Sequence, residues 1–367
     1  MYLKSLRIIN FKNWPQMELS FHDKLNCLVG PNGSGKTNVL DAIHYLSVCK
    51  SYFNPADIQN IKDEEGFFVV EGDFIKEEEH NYHIYCGVKR GQKKIFRKNK
   101  KDYKKLAEHI GQFPSVIISP YDRDLITEGS DVRRKFMDTV ISQSDPLYLD
   151  HLIRYNKTVQ QRNALLKFFA ANHQFDAENL AIYNNQMAEH APYIFSKRKE
   201  FGEMLGQKMA YYYGLIAPDL ESTMVNYVSQ LADEDLEVLL EHNVSKDRVN
   251  QYTGVGIHKD DLDFSINDKG LKKFGSQGQQ KSFLIALKLA QYDFLAQKQS
   301  VKPLLLLDDI FDKLDEQRVE QLVKLVHDES FGQIFITDTH AERTEALIRK
   351  ISESYLLFKV NQGEMVE

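Results

Sequence analysis

Hydrophobic and polar residues fall into three regimes along the chain. Between Tyr2 and Val88 apolar residues alternate with polar ones or gather in short runs, the mark of half-buried and buried strands. Tyr2 to Phe21 reads as a hairpin around Phe11-Lys12-Asn13-Trp14-Pro15, and Lys24 to Val29 as a buried strand. Phe67 to Ile75 and Asn81 to Val88 form a strand pair joined through Lys76-Glu77-Glu78-Glu79. From Asp131 the period lengthens. Apolar residues recur at three- and four-residue steps over Val132 to Gln143, Leu147 to Ala171, Glu178 to Tyr213 and Glu234 to Glu241, which predicts a block of helices punctuated at Asp145-Pro146 and Ala217-Pro218. Pro192 is expected to kink or divide the third helix, because it withdraws a backbone donor and collides with the preceding turn. Strand character returns over Gly254 to Ile266, with Asn267-Asp268-Lys269-Gly270 as a hairpin tip. An amphipathic helix over Ser282 to Gln297 and the apolar strand Pro303 to Leu307 follow.

Chemistry enters at the junction of the buried strand and the helix Asn38 to Val48. Gly30-Pro31-Asn32-Gly33-Ser34-Gly35-Lys36-Thr37 fits the phosphate-binding pattern of glycine, four residues, then Gly-Lys-Thr, in the strand-to-helix context that the pattern requires. Glycines let successive N–H groups turn toward phosphate oxygens, and the helix N-terminus faces the same anion. Gly30, Asn32, Gly33, Ser34, Gly35 and Asn38 then cradle the nucleotide, Lys36 reaches its outer phosphates and acts in catalysis, and the Thr37 hydroxyl ligates Mg²⁺. The strand Pro303 to Leu307 ends in Asp308-Asp309, where a phosphate-binding ATPase places the carboxylate that holds Mg²⁺ through water. Asp308 takes that part. Asp309 is placed either to orient or deprotonate the attacking water, as a catalytic residue, or to cap the next helix. Ser276, in Gly275-Ser276-Gln277-Gly278-Gln279-Gln280-Lys281, is a helix cap that also presents N–H groups to an anion.

Charge changes the picture at one place. The chain of 367 residues carries a formal net charge of −6, which argues against a surface coated for nucleic acid. Yet Lys89 to Lys105 holds ten cations opposed by Asp102, with Phe96 and Tyr103 among them. Such a run is either a solvated hairpin or a phosphate-backbone contact, the latter through Lys93, Lys94, Arg97, Lys98, Lys100 and Lys101. His258, Asp260 and Asp261 read as metal ligands or, more blandly, as a polar loop lacking a second cluster. Cys27, Cys49 and Cys86 are too few and too scattered for a disulfide framework or a zinc site. No apolar run is long enough to span a bilayer, so the expectation is a cytoplasmic α/β protein with no membrane partner, which the resemblance drawn below extends to nucleoid association.

Taken together, these motifs resemble the ABC-type ATPase heads of DNA-repair and chromosome-maintenance proteins. The markers are Phe11-Lys12-Asn13-Trp14, the phosphate loop, Ser119-Pro120 to Asp138, Gly256-Ile257-His258-Lys259-Asp260-Asp261, Gly275 to Lys281, and Asp308-Asp309-Ile310-Phe311-Asp312-Lys313-Leu314-Asp315. The resemblance implies a P-loop ATPase head whose lobe I comprises 1–120 and 250–367, with mixed sheets and helices. An all-helical lobe II over 121–249 is inserted, without a long coiled coil. It implies that Ser276, Gly278 and Gln279 close over ATP held by a second copy and that Asp315 touches that copy, so ATP with Mg²⁺ drives homodimerisation. It further implies double-stranded DNA and duplex–single-strand junctions as ligands, RecR with RecO as partners in loading RecA, and a weak DNA-stimulated ATPase activity. The alternatives are the ATPase subunit of a membrane transporter and another chromosome-maintenance ATPase. Two departures stand out: the switch histidine of that family falls among Asp338, Thr339 and His340, and no glutamine occupies Ser119-Pro120-Tyr121-Asp122-Arg123-Asp124.

Overall fold

The computed structural model describes residues 1–76, 80–217, 221–299, 301–310, 318, 319, 321, 331–351 and 354–366. Its strands are β1 (Tyr2–Phe11), β2 (Trp14–Ser20), β3 (Leu25–Val29), β4 (Phe67–Ile75), β5 (Asn81–Lys89), β6 (Ile95–Lys98), β7 (Lys101–Asp102), β8 (Ser115–Ile118), β9 (Thr223–Val228), β10 (Asp261–Ile266), β11 (Lys269–Gly270), β12 (Leu304–Asp308), β13 (Ile334–Asp338), β14 (Leu356–Asn361) and β15 (Glu364–Val366). The helices longer than one turn are α1 (Lys36–Val48), α2 (Ser130–Ser144), α3 (Pro146–Ala171), α4 (Ala177–Ile216), α5 (Leu236–Asn250), α6 (Gln277–Lys298) and α7 (Ala341–Ile351).

The chain forms two compact units: 1–123, 211–220 and 277–367 in the first, and 124–210 with 221–276 in the second. In the first unit, one sheet runs β2-β1-β4-β5-β6-β7 and is antiparallel throughout. The other runs β15-β14-β3-β13-β12-β8 and is parallel except for β15. Every residue of β3, β12 and β13 is buried, as a parallel sheet covered on both faces demands. Helix α1 packs against strands of both sheets. Its Val39, Leu40, Ile43 and Leu46 join one core with Leu6, Ile8 and Val70 from the first and Leu28, Leu306 and Phe335 from the second. Because β3, β12 and β13 run parallel, their C-terminal ends coincide. The phosphate loop, Asp308 and Asp338 are thereby delivered to one rim, where open α/β sheets bind ligands.

The second unit corrects the expected boundary and the all-helical description. It contains α2, α3, α5 and most of α4, but also the sheet β11-β10-β9. Val225 pairs with Phe264 and Tyr227 with Leu262, so 250–276, expected with the nucleotide lobe, belongs with the helices. The predicted turn 267–270 is present, with Asn267 and Asp268 both at positive φ as a two-residue hairpin requires. Pro192 does not divide α4, which continues through it for 40 residues. Burial of Met187, Ala191 and Ile194 around the proline offsets the lost backbone bond.

Candidate nucleotide-binding site

The phosphate loop follows β3 directly, and Gly35, in the left-handed region, starts α1. Gly30 is required by space as well as by φ: a Cβ there would stand 2.0 Å from the Val360 carbonyl oxygen of β14. The loop is braced from outside. Asn13 Nδ2 donates to the Ser34 carbonyl at 3.1 Å, Trp14 Nε1 to that of Gly35 at 3.0 Å, and the Gly363 N–H to that of Ser34 at 2.8 Å. Asn38 Nδ2 donates to Asn13 Oδ1 at 2.7 Å, closing the brace onto α1. Asn13 and Trp14 carry a marker motif, but their structural task was not legible from it, because their partners are backbone atoms twenty-one residues away.

Lys36 is almost buried, its ammonium donating to the Gly30 and Pro31 carbonyls at 2.7 and 2.9 Å. Thr37 Oγ1 donates to Asp308 Oδ1 at 2.7 Å, which joins the two halves of the site across 271 residues. Thr337 donates to the same oxygen at 2.8 Å, and Ser119 Oγ lies 3.4 Å from Asp308 Oδ2. Burial is the largest influence on Asp308 and pushes its carboxyl above the usual range; the three hydroxyls and the Lys36 charge pull the other way. A carboxylate beside a threonine hydroxyl is a hard oxygen set, suited to Mg²⁺, which takes one or two protein ligands and completes its shell with phosphate and water. Ser34 Oγ, buried in the loop, makes no hydrogen bond to a described residue, so the loop retains polar capacity for an anion. Asn32 and Gly33 are exposed at its tip.

Asp309 sits at φ 50°, its N–H bonded to Thr337 Oγ1 at 3.0 Å. Asp309 lines a cleft of about 320 Å³ with Ser119, Arg123, Gln277, Gln280 and Lys281. The segment after Ile310 lies outside the described residues, so the helix-cap alternative for Asp309 and the expected partner contact of Asp315 lie outside them too. Ser276 is exposed immediately before α6, and Gly278 and Gln279 are partly exposed in its first turn. Asp338 accepts from the Thr339 N–H at 2.6 Å and from Thr344 Oγ1 of α7 at 2.6 Å, while His340 is exposed.

The basic run is divided by the fold. Lys94, expected on DNA, is turned inward: its ammonium pairs with Asp57 at 2.8 Å and donates to the Cys49 carbonyl at 2.7 Å. Arg97 pairs with Asp102 at 2.7 Å and Lys98 donates to Gln112 at 2.6 Å. Lys93, Lys100 and Lys101 are exposed, the last two at the β6–β7 turn. The His258, Asp260 and Asp261 group is not a metal site. His258 bonds Tyr155 and the Thr253 carbonyl, Asp260 pairs with Arg198, and Asp261 with Arg133. Among the described residues no group of three or more His, Cys, Asp or Glu could hold a metal ion. The three cysteines are free and buried. No helix among the described residues is long and apolar enough to cross a membrane.

Residues 2–365 match the model described as the RecF/RecN/SMC N terminal domain. The chain is 53% identical over 360 residues to the DNA replication and repair protein RecF of Flavobacterium johnsoniae, covering 98% of this chain and 100% of that protein. It is 48% identical to the protein of the same name from Phocaeicola vulgatus, covering 100% of this chain and 98% of that one. Among solved structures it is similar to the recombination mediator protein RecF bound to ATP in the RecFOR pathway, with TM-score 0.89 at 30% identity, covering 100% of this chain and 97% of that one. An Smc head domain bound to the C-terminal domain of ScpA, from Pyrococcus furiosus, has TM-score 0.56 at 15% identity and shares the fold.

Proposed function

This chain belongs to the RecF family of DNA replication and repair proteins, with the ABC-type ATPase fold, and from that premise we propose that it is an ATP-driven DNA-binding clamp. The observation that carries the reading is the contact between Thr37 and Asp308, which joins the phosphate loop to the acidic strand end, with Asp309 facing a cleft beside the first turn of α6. In this reading ATP supplies the anion and Mg²⁺ the charge neutralisation, while the chain's own residues hold them. Gly30, Gly35 and Lys36 embrace the phosphates, Thr37 and Asp308 hold the metal, and Asp309 orients the attacking water. Ser276, Gly278 and Gln279 face the nucleotide of a second protomer. Nucleotide that binds only the closed dimer favours it by about 2.7 kcal/mol at one hundred times its dissociation constant.

The clamp would hold duplex DNA near single-strand gaps and, with RecR and RecO, promote loading of RecA; slow, DNA-stimulated hydrolysis would release it. Sedimentation with and without ATP and Mg²⁺ tests the core of this reading. The wild type is expected to dimerise with ATP, Lys36→Met to lose both binding and dimerisation, and Asp309→Asn to keep both but lose turnover. A wild type that remains monomeric at saturating ATP removes the shared site. For DNA, replacing Lys93, Lys100 and Lys101 with Ala should flatten the salt dependence of affinity, each phosphate contact contributing a slope of about 0.9. Lys94→Met should leave that slope unchanged, since its ammonium is already engaged.

A further inference from the structure

In the second unit, His151 of α3 and His190 of α4 meet with their Nδ1 atoms 3.2 Å apart. His190 is 7% exposed, on the α4 face that buries Met187, Ala191 and Ile194. Tyr193 stacks on His151 at 4.7 Å with 18° between the planes, and its hydroxyl donates to Asp145 at 2.9 Å, so the plane of the His151 ring is fixed. A hydrogen bond between the rings accounts for the distance, but not for their tilt. A straight N–H···N bond of this length would put the ring centroids about 5.5 Å apart. Two imidazole nitrogens bound to one tetrahedral ion at about 2.05 Å stand about 3.3 Å apart, with centroids separated by about 5 Å. The observed centroid separation is 5.1 Å, with the planes 80° apart. The rings are therefore turned off the line between their nitrogens, as two ligands of one ion are.

The surrounding charge suits a cation. Asp150 and Glu189 directly precede the two histidines in sequence, and the charges of both carboxylates reach His190. Arg154 opposes them, but it is paired with Asp150 at 2.8 Å, which leaves Glu189, exposed and in no ion pair among the described residues. Two imidazoles are fewer protein ligands than a structural zinc site has, in keeping with the absence of a three-ligand cluster among the described residues. They suffice for an open, exchangeable site, and imidazole suits Zn²⁺, Ni²⁺ and Cu²⁺. We propose that His151 and His190 bind a divalent first-row transition metal, which ties α3 to α4 within the second unit while water fills its remaining positions. The ring that donates in the free pair moves its proton from Nδ1 to Nε2, so neutral rings release none on binding. No residue of the nucleotide site takes part.

The test is calorimetric titration of the full chain with Zn²⁺, in excess Mg²⁺ so that the oxygens of Thr37 and Asp308 do not compete. The wild type should bind one Zn²⁺ per chain, and its melting temperature should climb with Zn²⁺ concentration, because a ligand of the folded state alone stabilises it. His151→Phe keeps a ring against Tyr193 and removes a ligand. It should weaken Zn²⁺ binding at least about tenfold and abolish the rise in melting temperature. Absence of Zn²⁺ binding by the wild type, or binding that His151→Phe leaves unchanged, overturns the proposal and reduces the pair to a hydrogen bond. Should the variant fail to fold, Cu²⁺ bound to the wild type decides the matter. Its electron paramagnetic resonance spectrum should show coupling to two imidazole nitrogens, and coupling to one or none overturns the site.

Discussion

Two buried aspartates show how the same side chain serves opposite ends. Asp308, in the first unit, is 3% exposed, and Asp260, in the second, is 1% exposed. Burial pushes both carboxyls above their ordinary range. Asp260 faces a guanidinium: Arg198, buried itself, donates to it at 2.7 Å and to Asp138 at 2.8 Å. Asp308 is met by the neutral hydroxyls of Thr37, Thr337 and Ser119, and among the described residues it forms no ion pair. A buried carboxylate compensated by an internal cation is a strut. One surrounded by hydroxyls holds a charge that an external cation can balance, and it stands where a strand delivers it beside a phosphate loop. Burial and pKa direction do not separate the two roles; the charge of the partner does.

The largest effect should come from exchanging these fates. Arg198→Met leaves Asp260 and Asp138 without their cation in the core of the second unit, and should cost about 3–5 kcal/mol in denaturant unfolding. Asp308→Asn should cost little in stability, because it breaks no ion pair among the described residues and keeps an oxygen to accept from the hydroxyls. It should weaken the Mg²⁺-dependent part of ATP affinity by about 10–100-fold. If Asp308→Asn unfolds the protein while Arg198→Met is silent, the distinction between strut and site is wrong.

Local pattern carried most of the first unit. The phosphate loop, the strand before it, the apolar strand ending in Asp308-Asp309 and the 67–88 strand pair are contiguous signals whose period and flanking residues state their geometry. The losses were all non-local. Strand β9 was passed over because its alternation, Thr223 to Val228, is short and its partner begins more than thirty residues later. The basic run seemed uniform because spacing does not reveal that Lys94 finds Asp57 across the fold. The Asp260-Asp261 pair looked ligand-like because Arg198 and Arg133, which neutralise the two carboxylates, lie 62 and 128 residues away in sequence. Likewise, the hydroxyls of Ser119 and Thr337 have no motif; parallel pairing of β12 with β8 and β13 puts the residue after β8 and the end of β13 at the rim.

The brace around the phosphate loop tests the site side of the comparison at a smaller scale. Gly363 has φ 76°, and a Cβ there would stand 2.5 Å from the Asn13 carbonyl oxygen, so Gly363→Ala must displace the β14–β15 turn from the Ser34 carbonyl. Asn13→Ala removes its bonds to Ser34 and Asn38, worth about 0.5–1.5 kcal/mol each. Both variants should remain folded and lose roughly tenfold in ATP affinity by titration with a fluorescent analogue. Wild-type affinity in Asn13→Ala would mean that the loop holds its shape through its glycines alone.

Acid should act more gently, and on both units. Burial lowers the pKa of His44 and His109 in the first unit, and of His258 in the second, to about 4. These rings stay neutral in the folded chain above that value, whereas an unfolded histidine takes up its proton near 6.5. Their contribution to stability is therefore complete above pH 6.5 and is lost as pH falls from there through 4, by at most about 1.4 kcal/mol per pH unit for each ring. Asp260 works in the opposite sense, because a raised carboxyl binds protons more readily folded than unfolded and so favours the folded chain as pH falls. With three histidines against it, the net slope between pH 6.5 and 5 should be destabilising. His109→Phe, which fits a ring between Phe96 and Phe113, should reduce that slope whatever it does to stability at pH 8. An unaltered slope would mean that His109 titrates alike in both states, and that burial at this position does not exclude the proton.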